Sequence, residues 1–112
     1  MGTINSVEKT IIIADGETES GALALPQDYF LAGFILPAIT TSTAITFKVS
    51  TDGTNFYTLY ADGSAYSITI AGTGSEAITV SPSVFYPWEY IKVVVADAQS
   101  GDKTLKAVVR VY

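Results

Sequence analysis

The chain has 112 residues, a mass of 11.9 kDa, a formal charge of -5 and a pI of about 4.3, with neither cysteine nor histidine. The missing cysteines exclude disulfides and thiolate metal sites, the missing histidines remove the commonest general base and metal ligand, and the acidic balance argues against a nucleic-acid partner. Apolar residues at 48% and a mean hydropathy of +0.35 exclude disorder and suit one packed core, while no apolar run reaches the ~20 residues needed to cross a bilayer.

In chain order, Met1 to Ser6 lacks the basic and apolar regions of a secretory signal and reads as an N-terminal arm. Residues 7 to 112 read as a single domain. Val7 to Ile13 is the first strand, with Val7, Lys9, Ile11 and Ile13 on one face and Glu8, Thr10 and Ile12 on the other. An acidic turn, Asp15 to Gly21, leads to a short strand at Ala22 to Leu25, and Pro26-Gln27-Asp28 breaks the chain before Tyr29 to Leu36. That strand is apolar on both faces, as at the centre of a sandwich or under a second surface, and Gly33 within it predicts a bulge or a close backbone approach.

Ala44 to Ser50 alternates with period two and is joined through Asp52-Gly53 to Phe56 to Tyr60. Asp52 is the residue expected to tolerate positive φ beside Gly53. A second turn at Asp62-Gly63 precedes Tyr66 to Ile70. Ala71 to Ser75 reads as a flexible connection, and Glu76 to Val80 as a strand. An irregular aromatic segment around Phe85, Tyr86 and Trp88 comes next. Two long strands, Glu89 to Ala96 and Thr104 to Tyr112, close the chain. Eight or nine short strands, no helix and turns every 8–12 residues or so predict an all-β, antiparallel sandwich with a jelly-roll-like winding.

Few residues offer chemistry. Asp15, Glu17 and Glu19 supply hard oxygens of the kind calcium takes, but without the rest of a calcium loop they read as a solvated turn. Asp52 to Asn55 has oxygen ligands too, and turn formation explains them. No nucleophile stands beside a base, so the chain reads as non-enzymatic, with no cofactor and no metal. Phe85, Tyr86 and Trp88 are either a platform for sugar rings or a plug for one end of the sandwich. Ile12, Val94, Val108 and Tyr112, with Lys92, Lys106 and Arg110, fall on faces predicted to point away from the core and are candidate protein contacts. Five of the six basic residues follow residue 47 and five acids precede residue 29, a polarity that suits docking of an acidic turn on a neighbour's basic sheet face.

The run Phe47-x-Val49-Ser50-x-Asp52-Gly53-x-x-Phe56-x-x-Leu59, followed by Pro87-Trp88-Glu89-Tyr90-Ile91-Lys92-Val93, resembles discoidin-like jelly rolls across residues 44–96. The same pattern in a short cysteine-free chain, from the Ile-rich first strand to the closing Val108-Val109-Arg110-Val111-Tyr112, is similar to small β-sandwich virion proteins of tailed bacteriophages. These include the decoration or cement proteins of the head. That resemblance implies a structural protein that binds the major capsid protein from outside and reinforces the shell. It further implies a homo-oligomer, often a trimer, made in the host cytoplasm and carried on the outer surface of the virion head. The alternatives are a neck, tail or fibre component, and a carbohydrate-binding module built on the aromatic cluster.

Overall fold

Apolar side chains at every second position give this chain strands that each own a wet face and a dry face, and two such sheets close on one another. In the computed structural model, which describes residues 6–39 and 44–111, the elements are β1 (Ser6–Ile13), β2 (Leu23–Ala24), β3 (Tyr29–Ala38), β4 (Ala44–Ser50), β5 (Tyr57–Thr58), β6 (Tyr60–Ala61), β7 (Ser64–Ala65), β8 (Ser67–Thr69), β9 (Thr73–Thr79), the single helical turn α1 (Pro82–Phe85), β10 (Tyr90–Val95) and β11 (Lys103–Val111). One sheet has the order β1-β11-β3-β9. The other has β2-β10-β4-β5, with β8 also pairing β4. All pairings are antiparallel. The chain crosses between the sheets at most of its connections, which is the winding of a jelly roll.

Ile11, Ile13, Leu31, Phe34, Leu36, Leu105, Ala107 and Val109 point inward from the first sheet, and Ile45, Phe47, Val49, Ile91, Val93 and Val95 from the second. Phe34 and Phe47 bring the layers together, stacked at 5.9 Å between ring centroids. Phe85 sits edge-on to Phe47 at 5.0 Å and to Tyr66 at 5.8 Å. Four rings thus fill the middle of the sandwich in offset and T-shaped contacts, the arrangements that their quadrupoles favour.

The turn expected at Asp62-Gly63 is present, and four other local expectations change. The Asp62-Gly63 turn between β6 and β7 has both residues at positive φ, 55° and 84°, the two-residue hairpin loop whose twist matches its strands. At Asp52-Gly53 only Gly53 is left-handed, at 78°, so Asp52 contributes through its side chain and not its backbone. Ala71 to Ser75 is not a flexible connection from end to end. Gly74 and Ser75 take φ of 96° and 52° inside β9, where the pairing with β3 shifts register between Leu36 and Ala38. The Glu76 carboxylate accepts hydrogen bonds from the Ala71 and Gly72 amides at 2.8 and 3.2 Å, which fixes that corner. The aromatic segment contains one helical turn, α1, where no helix was expected. Ser6, assigned to the arm, already pairs with Arg110 as the first residue of β1; residues 1–5 lie outside the described residues.

Gly33 meets both halves of its expectation. The β3–β11 register shifts beside it, between Val108 and Val109, and a Cβ at this position would stand 2.5 Å from the carbonyl oxygen of Ile78. Only glycine lets β9 approach β3 this closely without a shift.

Candidate contact faces and the end pocket

Register decides which outward residues are neighbours. On the wet face of the first sheet, Thr10, Lys106, Ile35 and Ala77 form one rung, and Glu8, Val108, Gly33 and Thr79 form the next. Ile12 stands beyond them, opposite Thr104, and Arg110 lies on the other side opposite Phe30. Ile12 is 45% exposed and Ile35 36%, while Val108 is half-buried between its neighbours. Lys106 Nζ lies 3.6 Å from a Glu8 oxygen, a diagonal pair between adjacent strands. Ile12, Lys106, Val108 and Arg110 therefore share one face. Ile35 belongs with them although it was not among the expected contacts. Its signal was the two-sided apolar character of β3.

Lys92 and Val94 lie on the opposite side of the molecule, on the wet face of the second sheet, and both are half-buried. The seven expected contact residues are thus not one patch, and Tyr112 falls outside the described residues. Lys92 stands directly across from Lys48 on β4, a like-charge pair that would be unfavourable alone. The acidic turn resolves it. Ser20 donates its amide to the Val93 carbonyl at 2.9 Å and Val95 donates to the Thr18 carbonyl at 2.8 Å, so Thr18–Ser20 runs alongside β10. This places the Glu19 carboxylate against Lys48, with Lys92 at 3.8 Å. Lys92 Nζ also sits 4.5 Å from the centroid of the Phe56 ring, a cation–π contact. Acidic turn meets basic sheet face within this chain.

Three aspartates hold turns. Asp15 Oδ1 accepts the Gly101 amide at 2.7 Å, and Asp102 Oδ1 accepts the Asp15 amide at 2.9 Å, which staples the acidic turn to the β10–β11 connection. Asp52 Oδ1 accepts the amides of Asn55 and Thr54 at 2.9 and 2.8 Å and the Ser50 hydroxyl at 2.9 Å, and Asp52 Oδ2 accepts the Asn55 side-chain amide. These donors, led by the Asn55 and Thr54 amides, hold the Asp52 carboxyl well below the usual carboxylate range. Among the described residues no group of three or more acids is placed to hold a metal ion.

The aromatic segment divides. Phe85 is 1% exposed and belongs to the core, so it cannot serve as a platform. Tyr86 is 68% exposed and Trp88 half-buried. Both line a pocket of about 450 Å3 at the end of the sandwich, opposite the Pro26–Asp28 turn. One of its walls is that turn, closed by the Tyr29 amide donating to the Pro26 carbonyl at 3.1 Å. The other follows α1, closed by the Trp88 amide on the Phe85 carbonyl at 3.0 Å. The Leu25 amide donates to the Glu89 carbonyl at 2.9 Å and ties the walls together.

No family model and no curated protein sequence matches this chain. Among solved structures, a protein of Bacillus endospore appendages, described as a novel family of disulfide-linked pili, aligns with it. The alignment covers 98% of this chain and 91% of the other at 18% identity, with a TM-score of 0.37. Likeness at that level carries no argument about function, and the fold rests on the strand order above.

Proposed function

We propose that this chain is a non-enzymatic structural protein that acts by being bound across the wet face of its β1-β11-β3-β9 sheet. The observation that carries this reading is the pair of exposed isoleucines, Ile12 and Ile35, on a four-stranded face that also holds Val108 and Ala77. An extended sheet face is a rigid surface that loses little conformational freedom when covered, and apolar side chains left on it gain from being covered. The described acids Asp15, Asp52, Glu19 and Glu76 are engaged in turns or ion pairs, which supports a scaffold over a catalyst.

Within that class the specific reading is head decoration of a tailed bacteriophage, with the major capsid protein as the partner and the outer head surface as the location. Its support is the resemblance of the strand and turn pattern to small virion proteins of this kind. With no cysteine in the sequence, any such assembly forms without disulfides. The test is co-sedimentation of the purified protein with undecorated phage heads, together with light scattering for oligomeric state. Binding that Ile35→Glu abolishes, with the fold intact by circular dichroism, supports the proposal. A strictly monomeric protein that ignores the heads overturns it.

A further inference from the structure

The end pocket adjoins the sheet face only at Phe30, the residue opposite Arg110, and the rest of its lining has a chemistry of its own. Tyr86 presents most of its ring to solvent, and the half-buried Trp88 and Tyr29 add aromatic surface. Asp28, Gln27 and Glu89, all exposed, line the same space, and no lysine or arginine does. Asp28 holds φ of 70° at the third position of its turn, the left-handed conformation that this position requires and that Asp tolerates, which sets its side chain beside the pocket. Two hydrogen-bonded walls tied at Leu25 and Glu89 make the pocket preformed.

The geometry points to a binding site for a neutral saccharide in this pocket. Aromatic rings offer flat apolar surface to the C–H face of a pyranose, and the carboxylates and the amide accept and donate to its hydroxyls. A volume of about 450 Å3 lies toward the small end of ligand sites and admits one or two sugar units at the end of a chain. The two carboxylates, on a chain of net charge -5, turn away sialylated, sulfated or phosphorylated glycans by like-charge repulsion. The platform is Tyr86 and Trp88 facing the Asp28 turn, without the core ring Phe85.

Trp88 is the single tryptophan, so its fluorescence reports directly on the pocket. The experiment titrates the whole protein with cellohexaose, maltohexaose, mannohexaose and chitohexaose, and repeats each titration with Tyr86→Ala and Asp28→Asn. At least one sugar should give a saturable change that persists in high salt. Tyr86→Ala should weaken it about tenfold or more, the loss of one good stacking contact. Tyr86 is largely exposed, so its removal leaves the fold intact. No saturable change with any of the four overturns the site, as does binding that both variants leave unaltered. A response to oligolysine that exceeds every sugar and vanishes in high salt also overturns it, in favour of a cationic partner. None of these outcomes depends on whether phage heads are bound.

Discussion

Glu19 is ion-paired to Lys48, twenty-nine positions further along the chain, and this contact lets two lysines face each other on adjacent strands. The three groups are about one-third exposed, at 27–34% of their side-chain surface, so screening by solvent limits the worth of each pair. Glu19→Gln should cost about 0.5–1 kcal/mol, combining the lost pairs with the cross-strand repulsion left behind. Adding Lys48→Met should return part of that loss. Urea unfolding of the two single variants and the double variant, at low and high salt, checks it; equal costs at both salts would contradict an electrostatic origin.

Gly33→Ala places a methyl group 2.5 Å from a backbone oxygen, and backbone cannot swing away as a side-chain tip can. Overpacking of this kind costs about 1–3 kcal/mol. The denaturant midpoint should fall with an unchanged slope. A variant as stable as the parent would mean that β9 moves off β3 freely.

The lowered pKa of Asp52 sets the sign of a pH effect. Its folded value lies below the unfolded one, so its contribution is complete above the ordinary aspartate pKa of about 3.9 and is lost as the pH falls toward the folded value. Asp52→Asn should therefore be less stable than the parent at pH 7, with a gap that narrows in acid. Unfolding midpoints of both proteins across the acid range test this; a constant gap would show that the carboxylate charge is not what the turn uses.

Phe85 and Tyr86 are consecutive and opposite in fate. Phe85→Ala empties a buried ring site between Phe47 and Tyr66 and should cost about 3–5 kcal/mol. Tyr86→Ala changes a side chain that is 68% exposed and should stay within about 0.5 kcal/mol of the parent. Thermal unfolding followed by near-ultraviolet circular dichroism separates the two.

Period-two alternation made the long strands legible: Ala44–Ser50 ends where its pattern ends, and the inward sets of β10 and β11 are the alternating residues Ile91, Val93, Val95 and Leu105, Ala107, Val109. What escaped was too short to carry a period. β6 and β7 are two residues each, and α1 is four. Gly74 and Ser75 have the composition of a linker, yet they form an irregularity within β9, because composition does not distinguish a free backbone from one bent on purpose. The two Asp-Gly pairs look alike in sequence and differ in structure. Asn55 after Asp52 offers donors that hold its carboxylate, whereas Asp62 stands in a two-residue loop that needs positive φ at both positions.

The functional side was less legible because it depends on partners distant in the chain. Outward residues were separable from inward ones, but which sheet each belonged to was not. Lys92 and Val94 were therefore grouped with Lys106 and Val108, which lie on the far side of the sandwich. Glu19 read as solvated until the topology carried its turn alongside β10. The pocket pairs Asp28 with Trp88, sixty positions away, and no local pattern announces such a meeting.

The pairing of Ser6 with Arg110, and of Val111 with Tyr29, brings that end of the β1-β11-β3 ladder to the pole that holds the pocket, where Tyr29 is part of the wall. The turn stapled by Asp15 and Asp102 stands at the opposite end of the same ladder, next to Ile13 and Lys103. A label or display cargo attached at the exposed Asp62-Gly63 loop, which contributes nothing to the pocket wall, would keep clear of the pocket's lining residues.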